Sequence, residues 1–240
     1  MNLHELPLHM QRRLAALVIA ATTGLVLVAL SHHPVLASPG TASDILAQLA
    51  AQERPDGFIH GALILMLAML AAAYSVFGGL LGATRPSVTL AASAYRLGCW
   101  LMVGAMLLDG FVTPQLARVY LGASAQDTAL VLAVLRCISI AIQVLTKLGF
   151  LAMCVACLAW AYALLADRGH GRWAPWCAVS GVLAAVLPAT VILASDIRLA
   201  PASLMALFAI HAVWNLLVAG LLFQAGKTRA GAAQPLQVPS

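Results

Sequence analysis

Charge is scarce in this sequence. Only 9% of its 240 residues are Asp, Glu, Lys or Arg, against roughly 25% in soluble domains. So few charged side chains cannot cover a soluble globule, which excludes a soluble enzyme, a disordered chain and a nucleic-acid binder. Five cysteines, Cys99, Cys137, Cys154, Cys157 and Cys177, all fall inside apolar runs, where a thiol acts as a small hydrophobe, so no disulfide framework is read. No histidine pair has H-x-x-x-H or H-E-x-x-H spacing, so no local metal motif is present. What the chain does contain is apolar surface: 62% hydrophobic residues and a mean hydropathy of +0.96. The solvent for most of that surface must be lipid.

Six apolar stretches, at about 14–36, 57–82, 88–112, 141–166, 174–195 and 201–225, are each long enough to cross a bilayer. In lipid each must be helical, because only a helix satisfies every backbone group within one segment. If the first stretch enters from the cytoplasm, Arg12, Arg13, Arg85, Arg168, Arg172, Lys227 and Arg229 lie inside, and Arg54, Arg118 and Arg198 outside. That bias obeys the positive-inside rule and puts both termini in the cytoplasm. Arg-dominated basic residues in an Ala- and Leu-rich background suggest a bacterial gene of high GC content.

Three segments leave choices open. The apolar run that ends before Asp167 begins at Thr128, so a single helix through it would be about twice the hydrocarbon thickness. A hairpin near Lys147 and Gly149 would give seven spans but would spoil the charge bias. The preferred reading keeps six spans, with 128–140 as an outer extension or interfacial helix. At the N-terminus, Arg12-Arg13, an apolar core and Val35-Leu36-Ala37 resemble a signal peptide cleaved after Ala37, whereas the length of the core favours an uncleaved span. After it, Thr41-Ala42-Ser43-Asp44 reads as a capping box opening a short outer helix over about 41–53. Residues 1–227 therefore form one membrane domain, and 228–240 a disordered cytoplasmic tail.

Ionisable groups inside spans are costly and tend to face a bundle interior. At about 1.5 Å of rise per residue, His32, His33, His60, Asp109 and Lys147 fall within roughly 10 Å of the outer boundary, and Tyr74, Ser75, Arg96, Ser180 and Asn215 about 9 to 15 Å from the inner one. His211 lies near the midplane. The outer group predicts an outward-facing polar cavity lined by His60, Asp109, Lys147 and His211, with Arg96 and Asn215 as further ligand-binding candidates. Any metal would fall to His32, His33, His60 and Asp109, but no metal or other cofactor is predicted. In the alternative structural reading, Asp109 pairs with Lys147 or Arg136. His211 and Asn215, one turn apart, share a helix face; Arg96 either snorkels to the cytoplasmic surface or holds a partner such as Asn215. Arg136, Gln143 and Lys147 fall on one line of a helix and mark its wet side.

Sharper motifs are weak. Cys154 and Cys157 have CxxC spacing, but mid-span and without a second ligand pair. Ser180 with His211 is similar to the dyad of rhomboid intramembrane proteases, yet Ala178 stands where that family has glycine. Gly78, Gly79 and Gly82 read as close-packing positions, and Pro188 permits a kink.

The outer helix around Ser43-Asp44-Ile45-Leu46, the run Phe58-Ile59-His60, Arg85-Pro86-Ser87 leading to Tyr95-Arg96-Leu97, and Leu148-Gly149-Phe150 together resemble an uncharacterised bacterial family of six-helix membrane proteins, domain of unknown function 4386. The resemblance spans roughly residues 12–225 and implies a bacterial plasma-membrane protein without supplying an activity. The expected fold is thus an all-α, polytopic transmembrane bundle of six spans. The expected function is non-enzymatic binding of a small hydrophobic or amphiphilic ligand, or of a membrane partner. A His-based oxidoreductase or hydrolase with a metal or haem, and a proton-coupled transporter relaying through Asp109, Arg96 and His211, are the alternatives. Expected partners are the lipid bilayer and such a ligand or membrane protein, and no nucleic acid.

Overall fold

The computed structural model describes residues 6–32, 40–166 and 171–226. The proposed cleavage site at Ala37, His33 and the tail from Thr228 lie outside them. Among the described residues the chain is helical, with α1 (Leu8–Ser31), α2 (Ala42–Ala51), α3 (Glu53–Leu81), α4 (Pro86–Leu107), α5 (Thr113–Val119), α6 (Ala125–Ala166), α7 (Ala174–Ala194) and α8 (Pro201–Ala225). A π-helical turn over Leu108–Val112 joins α4 to α5 without a break. Six of these segments, with α4 to α5 counted as one, are long and apolar enough to cross a membrane.

Their boundaries follow local chemistry. Thr41 and Asp44 form the capping box expected of α2: the Thr41 N–H donates to Asp44 Oδ2 at 2.6 Å, and the Asp44 N–H to Thr41 Oγ1 at 3.3 Å. The bond from the Thr41 N–H, with one from the Thr41 hydroxyl, holds the Asp44 carboxyl below its ordinary value of 3.8. α3 ends at Gly82, whose φ of +94° is costly for any residue with a Cβ. Proline opens α4 and α8, at Pro86 and Pro201, where its missing N–H costs nothing.

The spans close into a ring in sequence order: α1 packs on α3, α3 on α4, α4 on α6, α6 on α7, α7 on α8, and α8 back on α1. The two chain ends therefore share one end of the bundle, here the terminal end. There Arg12 Nη1 donates to the Ala225 carbonyl at 3.3 Å and Arg13 lies 5.8 Å from the Phe223 ring centre. The ring is inside-out relative to a soluble protein. Leu17, Phe58, Trp100 and Leu193 are exposed, while Thr22, Thr23, His60, Ser180 and His211 are buried. Lipid gives little apolar drive to associate helices, so close backbone approach has to hold them. It is clearest where α4 crosses α6: a Cβ on Gly98 would meet the Gly149 carbonyl at 2.8 Å, and one on Gly149 would meet Met102 Cγ at 2.9 Å.

α6 runs unbroken for 42 residues, about 63 Å. No hairpin interrupts it at Lys147 and Gly149, so the seven-span alternative falls, and 128–140 are an unbroken helical continuation of the fourth span. That continuation, with α2 and α5, builds a small second core of Leu46, Ala117, Val131 and Leu135 over the far end of the bundle. The Glu53–Arg118 ion pair, at 2.9 Å, ties α3 to this cap.

α7 continues through Pro188. Proline cannot donate to the carbonyl four residues earlier, and the Cys154 thiol donates to that freed Ala184 oxygen at 3.9 Å. Cys154 thus acts as a local partner for a proline-interrupted helix. Cys157 is buried nearby in the apolar core, and both thiols are free.

Candidate functional site

The two halves of the bundle are filled differently. Toward the terminal end the interior is aromatic: Tyr74 stacks on Trp160 at 4.8 Å between ring centres, and Phe77 meets Trp160 and Trp214 edge-on at 5.7 and 6.0 Å. Several polar groups here satisfy one another, although the buried Trp160 indole N–H has no partner among the described residues. The Tyr74 hydroxyl donates to Asn215 Oδ1 at 2.6 Å, and Asn215 Nδ2 to Thr23 Oγ1 at 3.1 Å, joining α3, α8 and α1. The Ser180 hydroxyl donates to the Cys177 carbonyl in its own helix, an ordinary back-bond that gives no sign of a nucleophile.

Toward the far end, beneath α2, lies a cavity of about 310 Å³. Its walls are mainly apolar, from Leu30, Leu63, Met102, Met106, Leu204 and Phe208, with His60, Asp109, Thr113, Gln143 and Thr146 as convergent polar groups. This is the composition of a small-ligand site.

The polar corner of the cavity is built by the π turn. Its wider winding leaves the backbone one residue out of α-helical register, and the Thr113 hydroxyl donates to the Leu108 carbonyl at 2.9 Å. Within the turn, Gly110 lies directly against His60: a Cβ at Gly110 would sit 2.4 Å from His60 Cβ and Cγ. The neighbouring Asp109 then reaches His60, with Nε2 to Oδ2 at 3.4 Å. His60 is buried and its Nδ1 faces the Asp56 carbonyl at 2.9 Å, so that the side of the ring bearing Nε2 is turned to the half-buried carboxylate. A histidine gripped at one nitrogen and paired with a carboxylate at the other is held in one orientation.

Of the residues expected to line the outer cavity, the structure brings together His60 and Asp109. Asp109 therefore pairs with His60, and neither Lys147 nor Arg136 meets it. Lys147 lies round α6 in a separate groove. Thr146 lines the cavity, and the next residue lies about 100° further round an α-helix. His211 and Asn215 line a second, smaller space of about 40 Å³. Phe208 borders both spaces and stands between them, ring to ring with Phe150, which in turn meets His211 at 5.6 Å. His211 Nδ1 bonds to the Leu207 carbonyl at 3.1 Å, and Nε2 is buried without a partner. Arg96 is exposed on the outside of α4, away from Asn215, whose amide takes Tyr74 and Thr23 instead. Asp109, Arg96 and His211 are thus not arranged as a relay. His32 is exposed, its ring bonded to Val28 and Ser31 beside it in α1. Among the described residues no three His, Cys, Asp or Glu side chains gather where a metal would need them.

Sequence reasoning missed Thr113 and Gly110, and it read Gln143 only as part of the wet side of its helix. Gln143 clasps the linker before α8 with both ends of its amide: Nε2 donates to the Leu199 carbonyl and Oε1 accepts from the Leu199 N–H, each at 2.8 Å. The close approach did leave a signal, since Gly57 and Gly61 make a G-x-x-x-G at the start of α3, and both lie against Phe111 of the π turn.

The architecture is that of a multi-pass helical membrane protein. Compared with models of known families, with curated proteins and with solved structures, the chain matches none.

Proposed function

We propose that this protein binds a small hydrophobic or amphiphilic molecule, drawn from the membrane, in the far-end cavity, with the His60–Asp109 pair receiving the ligand's polar end. The observation that carries the reading is the pairing itself. A membrane helix spends close backbone approach at Gly110 and a π turn to hold one carboxylate against one buried imidazole, on the wall of a space large enough for a small ligand. π turns inside helices occur frequently at functional sites. No covalent step is needed, and the reading requires no cofactor.

The membrane placement belongs to the same proposal: a bacterial plasma membrane, both termini cytoplasmic, and the far-end cavity opening outward. It rests on the excess of basic residues at the terminal end and on the resemblance to the uncharacterised six-helix family. A membrane-protein partner seated over the same end is the second occupant considered, because α2 and α5 cap the bundle there.

Native mass spectrometry of the purified chain tests the reading. The wild type should carry a small adduct that Asp109→Ala loses and Asp109→Asn holds about tenfold more weakly, as expected for a charge-assisted hydrogen bond. Equal adduct in wild type and Asp109→Ala would overturn it.

A further inference from the structure

Beside the His60 cavity, further round α6, a second groove of about 690 Å³ runs between α2, the outer part of α6 and residues 196–198. Its floor is apolar, from Ile45, Leu132, Ile140, Val144 and Ile197, and it carries three cations, Arg136, Lys147 and Arg198, against one carboxylate, Asp196. None of these four makes an ion pair among the described residues; Arg198 only donates to Ser139 Oγ at 3.3 Å. Arg118 at the same end is, by contrast, neutralised by Glu53.

The register of α6 sorts the groups by depth. Ser139, and with it Arg198, lies within one turn of Arg136, while Lys147 is two turns further toward the terminal end, about 12 Å along the axis from Ser139. Two guanidiniums at one level, an ammonium below them on the same line, and an apolar strip alongside match the layout of a phospholipid seen from the side. The guanidinium level suits a phosphate, which two such forks bind bidentately, and the Lys147 ammonium, on its flexible stem, reaches back up toward the ester carbonyls. Val144 then lies beside the start of the acyl chains.

We propose that this groove is a binding site for an anionic phospholipid of the surrounding leaflet, its phosphate held by Arg136 and Arg198. The apolar floor decides for a lipid over a free phosphate ion. The groove shares Leu49, Leu135, Ser139 and Gln143 with the wall of the His60 cavity, yet it does not depend on the function proposed for that cavity. His60 and Asp109 do not line it.

The test is native mass spectrometry of the full chain in nanodiscs containing phosphatidylglycerol and phosphatidylcholine, with inorganic phosphate added at millimolar concentration as a control. The wild type should retain phosphatidylglycerol about tenfold in preference to phosphatidylcholine, as two cations near the bilayer surface imply. In the double variant Arg136→Gln, Arg198→Gln the preference should drop to less than about twofold, and in Arg136→Lys, Arg198→Lys most of it should persist. A wild type without preference, a glutamine variant that keeps it, or displacement of the lipid by inorganic phosphate would each overturn the proposal.

Discussion

The terminal and far halves of the bundle use similar helices to opposite ends. In the terminal half, Tyr74, Phe77, Trp160 and Trp214 fill the ring, and Asn215 and Thr23 satisfy the one hydroxyl among them. In the far half the same ring of helices leaves a cavity, and the His60–Asp109 pair sits on its wall. Filling with aromatics makes a densely packed plug. Holding a histidine and a carboxylate at the wall of a cavity gives up packing, and the cap of α2, α5 and the outer part of α6 supplies contacts there instead.

The comparison breaks most visibly at Trp160, which is fully buried. Trp160→Ala should cost about 3 kcal/mol, because the void it leaves has no partner atoms whether the protein sits in lipid or in water. Thermal unfolding in detergent measures this. Below the new midpoint, Asp109-dependent retention of the adduct should be unchanged, since Trp160 does not border the cavity. Loss of both together would show that the halves are not separable.

A smaller effect, of the opposite kind, is expected at Gly110. Gly110→Val forces atoms into the space of the His60 ring and should cost about 1 to 3 kcal/mol by overpacking. Its sharper consequence is functional: adduct retention should fall as far as in Asp109→Ala, although both polar side chains are still present. A stable Gly110→Val that binds normally would remove the π turn from the account.

The smallest effect lies in the cap. The Asp44 carboxyl has its folded value held below 3.8 by Thr41, so its contribution to α2 is present above that pH and is lost as pH falls through the depressed folded value. Hydrogen exchange at the Ile45 and Leu46 amides should accelerate in that acidic range in the wild type. In Asp44→Asn it should already be faster at neutral pH, with little further change. A wild type whose exchange ignores pH there would detach the capping box from the stability of the cap.

The capping box shows what the sequence can reveal. Thr41 and Asp44 are neighbours along the chain, so their bond is written locally, as are the six apolar runs and the proline and glycine that bound them. Depth was equally legible, because rise per residue is fixed: His60 and Asp109 do lie at one level. Direction around the helix axis was not. Lys147 has the right depth but the wrong face, one residue beyond Thr146, and only the packing of α4 against α6 through Gly98 and Gly149 determines which face looks inward. The π turn was hidden for a related reason. One extra residue of winding in Leu108–Val112 leaves no mark on hydropathy, which does not report helical register. The Arg96–Asn215 and Asp109–Lys147 pairings failed because they rest on contacts between helices, which depth alone does not specify.

The most direct test of the central claim is a high-resolution map of the protein in a lipid nanodisc, viewed in the space between His60, Asp109 and Phe208. The account predicts a continuous, non-protein density in the cavity, with one end within hydrogen-bonding distance of the Asp109 carboxylate. A cavity closed by its own side chains, or filled by separate water peaks that ignore Asp109, would contradict it.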